Sequence, residues 1–411
     1  MKPHLADQAR RAPKILLTHT LHWPNAARLA TSFHDIGCDV QVLCRKTHPA
    51  LKLRSVRRGY LYNPFAPLRS LRVALEEADP DLVIPCDDQA VIELHQLYNV
   101  IGRSRYSSRR IRELIECSLG RPESYESVIT RSHLATVAGS AGALLPPTEV
   151  VASETQLRDW LCREGFPAVL KADFTSGGSG VMVIHNERTA ADGFRKLSRR
   201  SSLARAHGAL GLKFDPYLVR QRLLGVKPKL SVQSLIRGKL ANCAVACWQG
   251  KVIAGIAVEV LATQNPTEHA TVVRVVAGRE MLGVAELIVN SLGMSGFCGF
   301  DFVIEDNSGR AFLIEINPRA TQINHLALGE GRNLPAALRA RIADEPIHSG
   351  RAVTDEKIIA LFPQEWLRDP QSKFLNDNYH DVPKEPELLK YYSKPKPKIR
   401  HYMDGLRKVS C

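Results

Sequence analysis

Two stretches of the chain place reactive residue types at a spacing that suits chemistry. The first is Lys171-Ala-Asp-Phe-Thr-Ser-Gly-Gly-Ser-Gly180-Val181. A lysine closes one apolar run, a loop of small residues follows, and a second apolar run begins. Glycines in such a loop let successive backbone N–H groups point at a polyanion with no Cβ in the way. No Gly-Lys-Ser/Thr closes the loop and a strand follows it, so it is not a Walker A loop. A plain hairpin turn accounts for these residues equally well.

The second stretch is Gly299-Phe-Asp301-Phe followed by Leu313-Ile-Glu315-Ile-Asn317-Pro-Arg319. Asp301 falls on one predicted strand, and Glu315 and Asn317 fall two apart on the next, hence on one face. Two carboxylates and an amide oxygen there make a hard-oxygen site suited to Mg²⁺. Phe300, Phe302, Ile314 and Ile316 form the opposite, buried face. Carboxylates without a partner in so apolar a hairpin would be costly, which weighs against a purely structural role.

Elements of two textures must position these residues. Over residues 14–100, strand signals at Lys14–Thr18, Val40–Leu43 and Asp81–Pro85 alternate with helix signals at Pro24–Ile36, Leu68–Ala78 and Asp88–Tyr98. That alternation implies a parallel, Rossmann-like sheet. No G-x-G-x-x-G follows the first strand, which argues against a dinucleotide site. Asp87-Asp88 sits just past a strand's carboxyl end and either touches substrate or caps the next helix. From Pro146 the chain is rich in short β runs: Val169–Ala172, Gly180–Ile184, Tyr217–Leu223, Lys229–Arg237, Leu240–Trp248, Lys251–Leu261, Phe297–Glu305 and Ala311–Ile316. Gln249-Gly250 makes a hairpin turn, and a helix over Gly278–Leu292 closes at Gly293.

Composition narrows the class. The 411 residues carry 56 Lys+Arg against 42 Asp+Glu, a formal charge of +14, which favours anionic partners. Arg103, Arg105, Arg109, Arg110 and Arg112 are interleaved with Glu113 and Glu116 and lack an aromatic ladder, so they read as a solvated helix face rather than a nucleic-acid stripe. The nine cysteines include no C-x-x-C pair, so they read as reduced structural thiols. Residues 1–13 are polar and basic, unlike a secretory signal, and no apolar run reaches the roughly 18 residues of a membrane helix. The expected location is cytoplasmic. Beyond Asp381, the stretch containing Lys394-Pro-Lys-Pro-Lys398 reads as an extended, solvated tail.

The glycine loop and the acidic hairpin, 130 residues apart from Lys171 to Asp301, together resemble the ATP-grasp superfamily of carboxylate–amine ligases and their carboxylase relatives, in particular the ATP-grasp module of the carbamoyl phosphate synthase large subunit. The resemblance implies an α/β protein with a Rossmann-like pre-ATP-grasp domain followed by a two-lobed α+β ATP-grasp domain. In this sequence that gives a flexible start over 1–13, a pre-ATP-grasp domain over 14–125, an ATP-grasp domain over 126–350 with its lobes split near 215, and a strand and basic tail over 351–411. It implies that Lys171 reaches the α-phosphate and that Ser176, Gly177, Gly178, Ser179 and Gly180 close over the β- and γ-phosphates. Arg131 matches a further phosphate-binding cation, and Gln221, Arg222, Leu223 and Leu224 match the hinge that pairs with adenine. Asp301, Glu315 and Asn317 match the ligands of Mg²⁺ (or Mn²⁺), and Arg319 matches the arginine that steadies the transferred phosphoryl group. Two departures stand out. Lys229-Leu-Ser231-Val-Gln233 lacks the acidic residue many relatives use near the ribose, and Asp301 replaces the commoner Glu.

The function so implied is an ADP-forming ligase that activates a carboxylate as an acyl phosphate with Mg-ATP and couples it to an amine, with Arg319 and Lys171 as catalytic residues. The alternatives are an ATP-binding regulatory or scaffold protein with an anionic partner, or an ATP-grasp kinase or carboxylase. Partners are small-molecule carboxylates and amines; neither nucleic acid nor membrane insertion is expected, and the assembly is open, a homodimer included. His325 either contacts the acceptor substrate or starts a helix with its ring bonded to backbone.

Overall fold

The computed structural model describes residues 11–102, 106–129, 131–172, 180–198, 229–265, 269–347, 357–376, 381 and 383–393. The first unit is a parallel sheet of β1 (Lys14–Thr18), β2 (Asp39–Cys44), β3 (Arg58–Leu61) and β4 (Leu82–Pro85) in the order β3-β2-β1-β4. Alternate residues of the central strands feed two different cores. Ile15, Leu17, Val40 and Val42 pack with Leu29 and Phe33 of α1 (Asn25–Asp35). Leu16, Leu43 and Val83 pack with α2 (Pro67–Ala78), α3 (Asp88–Val100) and α4 (Tyr106–Leu119) on the other face. Helices on both faces of a parallel sheet are the doubly wound arrangement predicted from the strand–helix alternation. In this unit the strand not predicted is β3, an edge strand in which only Tyr60 is buried, so it carries no apolar run to detect.

After α5 (Tyr125–Ile129) and α6 (Arg131–Ser140) the chain enters an antiparallel sheet. It consists of β5 (Thr148–Val151), β6 (Ala168–Ala172), β7 (Val181–Ile184) and β8 (Leu230–Ser234), ordered β5-β8-β6-β7. One face is covered by α7 (Glu154–Glu164) and α8 (Glu187–Ser198), which close a core around Leu157, Trp160 and Leu170.

The largest sheet has six strands, β13-β12-β9-β10-β11-β14. They are β9 (Gly238–Trp248), β10 (Lys251–Thr263), β11 (Ala270–Val276), β12 (Gly296–Glu305), β13 (Ala311–Asn317) and β14 (Ile358–Ala360). Gln249 and Gly250 turn β9 into β10 with φ of 49° and 82°, the left-handed pair of a type I′ hairpin. Met281, Ala285 and Ile288 of α9 (Arg279–Leu292) cover one face, and Gly293 ends that helix in the left-handed region, as its spacing predicts. The other face carries Ala244, Ala246, Ile256 and Val258 into the same core as Phe33 of α1 and Leu338 of α10 (Leu334–Ile342). Phe33 and Phe297 meet across this boundary with ring centroids 6.1 Å apart. Each such buried ring contributes about 1.5–3 kcal/mol. The parallel-sheet unit is therefore fixed to the large sheet by a shared core.

The tail differs from expectation. After α11 (Gln364–Arg368), α12 (Pro386–Ser393) packs on the body with Leu388 fully buried, and the Glu385 carboxylate accepts from the Ser55 N–H at 3.0 Å. The alternating Leu388, Leu389 and Tyr392 supply an apolar face that outweighs the basic composition around them. Residues 394–411 lie outside the described residues. Among the described residues no helix is long and apolar enough to cross a membrane. Arg109 and Arg110 pair with Glu113 and Asp79, and Arg112 lies over the Tyr98 ring, so this stripe is spent on local contacts; Arg103 and Arg105 lie outside the described residues. The eight described cysteines are all unpaired, and burial pushes the Cys44 and Cys247 thiols up to about 12, which leaves them inert.

Candidate active site

The β12–β13 hairpin sets Asp301 directly opposite Glu315 and Gly299 opposite Asn317. Phe300 and Phe302, which alternate with Asp301, are fully buried and hold the hairpin against the core under α9. Gly299 is required by close approach: a Cβ there would lie 2.3 Å from Thr321 Cγ2, so a side chain would push away the segment that carries Arg319.

Asp301 is held from both sides, accepting from Asn242 Nδ2 at 2.6 Å and from Asn317 Nδ2 at 3.1 Å. Burial and then the facing Glu315 carboxylate push its carboxyl well above the usual range, against the pull of these donors and of Arg319. A buried carboxylate held by two amides and facing a second carboxylate on the neighbouring strand gains most from a divalent cation. The donor set is all oxygen, so the residues present fit Mg²⁺ or Mn²⁺. Asn317 Oδ1 accepts from Arg319 Nη2 at 2.9 Å, which uses one of its two lone pairs.

Arg319 is the junction of the site. Its Nε and Nη2 fork onto the two oxygens of Asp88 at 2.6 and 3.1 Å, and its guanidinium lies 5.4 Å from the centre of the Trp23 ring. Asp88 opens α3 at the carboxyl edge of the parallel sheet. Asp87 before it is the N-cap, accepting from Ala90 N at 2.9 Å, and it also takes the Thr20 N–H at 2.6 Å. Of the two readings of the Asp87-Asp88 pair, the helix cap is seen at Asp87, while Asp88 pairs with Arg319. From the opposite side Lys171, on β6, donates to Gln233 Oε1 at 2.7 Å and to the Ile314 carbonyl at 3.2 Å, which brings its ammonium against the acidic hairpin. Gln233 occupies the stretch that lacks an acidic residue, and its amide is fixed in turn by a bond to Thr148 Oγ1 at 3.0 Å.

The structure therefore brings Lys171, Asp301, Glu315, Asn317 and Arg319 together. Gly180 is buried where β7 begins, its carbonyl accepting from Ala172 N at 2.9 Å, so the base of the glycine loop is pinned. Ser176, Gly177, Gly178, Ser179, Gln221, Arg222, Leu223 and Leu224 lie outside the described residues, as does the side chain of Arg131, which opens α6. His325 lies in a turn rather than at a helix start. Its Nε2 meets Asp381 Oδ2 at 2.5 Å, and Arg28 binds the same carboxylate, because burial of all three leaves each polar group in need of a partner. Asn242, Gln233, Trp23 and Asp88 were the residues that sequence reasoning left without a role or with an open one. Only Asn242 had a local signal, a polar residue in an otherwise apolar strand.

The sequence model of the family described as carbamoyl-phosphate synthase L chain, ATP binding domain, matches residues 131–330, which include Lys171 and the whole acidic hairpin. That matched segment, just under half of the chain, is similar to an ATP-grasp ATP-binding domain. The carbamoyl phosphate synthase arginine-specific large chain of Geobacillus stearothermophilus is 24% identical over 210 residues, 49% of this chain and 18% of that one. The chain thus spans about a fifth of the length of this curated relative. Among solved structures, N5-carboxyaminoimidazole synthetase from Staphylococcus aureus, complexed with ADP, aligns over 82% of this chain and 79% of its own at a TM-score of 0.57 and 14% identity. L-amino acid ligase from Bacillus licheniformis aligns over 81% and 75% with a TM-score of 0.52 and 13% identity. At such identities the likeness is one of ATP-grasp fold.

Proposed function

We propose that this ATP-grasp protein is an ADP-forming carboxylate–amine ligase. A substrate carboxylate attacks the γ-phosphorus of ATP, ADP leaves, and an amine displaces phosphate from the acyl phosphate to give an amide. The observation that carries the reading is the convergence of Lys171, the Asp301–Glu315 pair, Asn317 and Arg319 from two sheets. Phosphoryl transfer needs positioned charge more than a nucleophilic side chain. Asp301, Glu315 and Asn317 would hold the divalent cation, which when bound neutralises phosphate charge. Lys171 and Arg319 bring fixed cations toward the phosphates, and Arg319 is already oriented by its bonds to Asp88 and Asn317. The loop over 176–180 and the side chain of Arg131 complete the phosphate contacts in this reading, and residues 221–224 take the adenine. The same reading places the protein in the cytoplasm, with domains divided near 125 and 350.

The likeness to a ligase of amino acids supports the amide-forming version, and the likeness to a carboxyaminoimidazole synthetase supports a carboxylase version with the same nucleotide chemistry. One experiment separates them. ADP release is followed over pooled amino acids, other carboxylic acids and bicarbonate, with and without amines, and products are identified by mass spectrometry. Amine-dependent ADP release with an amide product supports the ligase. ADP release that needs bicarbonate selects the carboxylase, and ATP binding with no stimulated turnover in any pool refutes both.

A further inference from the structure

The carboxyl edge of the parallel sheet carries a set of basic groups that the proposed phosphoryl chemistry does not use. His19 and Arg45 directly follow β1 and β2, and Asp87 stands two residues beyond β4, so the three lie on neighbouring strand ends. The His19 N–H donates to the Leu43 carbonyl at 2.8 Å and the Cys86 N–H to the Thr18 carbonyl at 2.9 Å, which keeps this rim in register. The Asp88–Arg319 fork and the bond from Ala320 N to the Pro85 carbonyl at 3.1 Å tie the rim to the acidic hairpin. An α/β sheet presents ligands at this edge.

Arg45 is the unbalanced member of this set. It is half-buried, yet its Nε and Nη2 are fully buried and have no hydrogen-bond partner among the described residues. The nearby carboxylates are engaged elsewhere. Asp87 takes Thr20 N, Thr20 Oγ1, Leu21 N and Ala90 N, while Asp88 takes Arg319, and Glu93 takes Tyr62 Oη and Gln89 Nε2. Two buried guanidinium nitrogens left without an acceptor are costly, and an oxyanion that accepts from both removes that deficit.

The neighbouring rings are set to donate rather than accept. His48 Nδ1 accepts from Ala50 N at 3.1 Å, so its Nε2 carries the proton and points to the Trp23 carbonyl and to His19 Nδ1, both at 3.1 Å. His19 Nδ1 is thereby an acceptor, and its remaining N–H is on Nε2, which is buried without a hydrogen bond and 3.5 Å from Asp87 Oδ2. Burial, then the charges of His22, Arg319 and Arg45, holds the His19 pKa down to about 3, so the ring stays neutral and Arg45 keeps the local charge.

We infer that Arg45 docks an oxyanion, a carboxylate or a phosphate, carried by the substrate that enters between this rim and Arg319, with His19 Nε2–H as an auxiliary donor. This rests on the ligase reading above and adds to it the chemical class of the substrate: a molecule with an anionic group recognised by the parallel-sheet unit.

The test uses the full chain with its nucleotide site filled by Mg-AMPPNP, so that an added anion cannot bind as a phosphate of ATP. Inorganic phosphate and succinate are each titrated at constant ionic strength against a chloride control, by calorimetry and by thermal shift. The wild type is expected to bind one of the two in preference to chloride, and the preferred one tells a phosphate from a carboxylate. Arg45→Gln is expected to weaken that binding by about tenfold to a hundredfold, as loss of a charged hydrogen-bond pair does, with AMPPNP affinity unchanged. Arg45→Lys keeps the charge but loses the fork, and is expected to recover less than half of the loss in binding free energy. Equal anion binding in wild type and Arg45→Gln, or wild-type binding no better than chloride while AMPPNP still binds, overturns the inference and leaves the ligase reading standing. If Arg45→Gln does not fold, unchanged anion binding by Arg45→Lys overturns it in the same way. Failure of AMPPNP to bind the wild type counts instead against the ligase reading, and the same anion titrations without nucleotide then decide the role of Arg45.

Discussion

Replacing Asp301 by Asn separates a metal-binding carboxylate pair from a structural one, because the two predict opposite signs for stability. Asp301 and Glu315 face each other across adjacent strands, and burial adds to their repulsion. Two like charges roughly 5 Å apart repel by about 3 kcal/mol at an effective dielectric of about 20. The variant removes that repulsion. It also turns one acceptor oxygen into a donor, so one of the bonds from Asn242 and Asn317 is lost, at about 1 kcal/mol. The metal-free variant is therefore expected to be more stable than wild type by about 1–2 kcal/mol. Urea unfolding in EDTA at pH 7.5 measures this directly. In the presence of Mg²⁺ and AMPPNP the order should reverse, since the wild type gains cation binding and the variant does not. ADP release by the variant should fall by about a hundredfold or more. A variant less stable than wild type in EDTA that keeps the Mg²⁺-dependent gain would refute the metal assignment.

Arg319→Gln should lower ADP release by about a hundredfold while changing stability by about 1 kcal/mol, because its partner Asp88 is 44% exposed and can return to water; a parallel loss of fold and turnover would assign Arg319 a structural role instead. Burial holds His95 neutral with a pKa of about 3 against 6.5 in the unfolded chain, so its contribution is complete above pH 6.5 and declines as pH falls from there toward 3. At pH 5 the decline amounts to about 2 kcal/mol, and His95→Gln should reduce the stability difference between pH 7.5 and pH 5 by that amount, read from urea midpoints. Leu388 is fully buried, so Leu388→Ala should cost about 3 kcal/mol in the same assay; an unchanged midpoint would contradict the packing of α12.

What was legible in the sequence followed from period and punctuation. Central strands such as Leu82–Pro85 are buried on both faces and read as apolar runs, and the β9–β10 and β12–β13 hairpins are announced by Gln249-Gly250 and Asp306-Asn-Ser-Gly309. The metal-type face was legible for the same reason, since residues two apart on a strand share a side. Elements that owe their place to partners were not. β3 is defined by pairing with β2 rather than by its own residues, and α12 is held by Leu388 in a segment whose composition suggests solvent. Lys171 with Gln233 spans 62 positions and Arg319 with Asp88 spans 231, and no local pattern encodes a contact between side chains that the fold brings together from so far apart.

The long-range pair between Arg319 and Asp88 also bears on how the site can respond to its ligands. The arginine side chain is 9% exposed and its carboxylate partner 44% exposed. An ion pair with one half-solvated member contributes about 1 kcal/mol or less, because water replaces the guanidinium at Asp88 with little loss. Arg319 is better fixed on its other side, where Nη2 meets Asn317 and the Trp23 ring lies beneath the guanidinium. The weak contact is therefore the one to Asp88, and the firmer ones are those to Asn317 and the Trp23 ring. In the ligase reading, a phosphoryl oxygen or acyl phosphate arriving beside Asn317 would compete with Asp88 for Nε and Nη2, and as the more highly charged acceptor it would displace it. In that reading, release of Asp88 would leave a free carboxylate at the start of α3 in the same event that binds the anion, available to the ammonium group of an amine substrate.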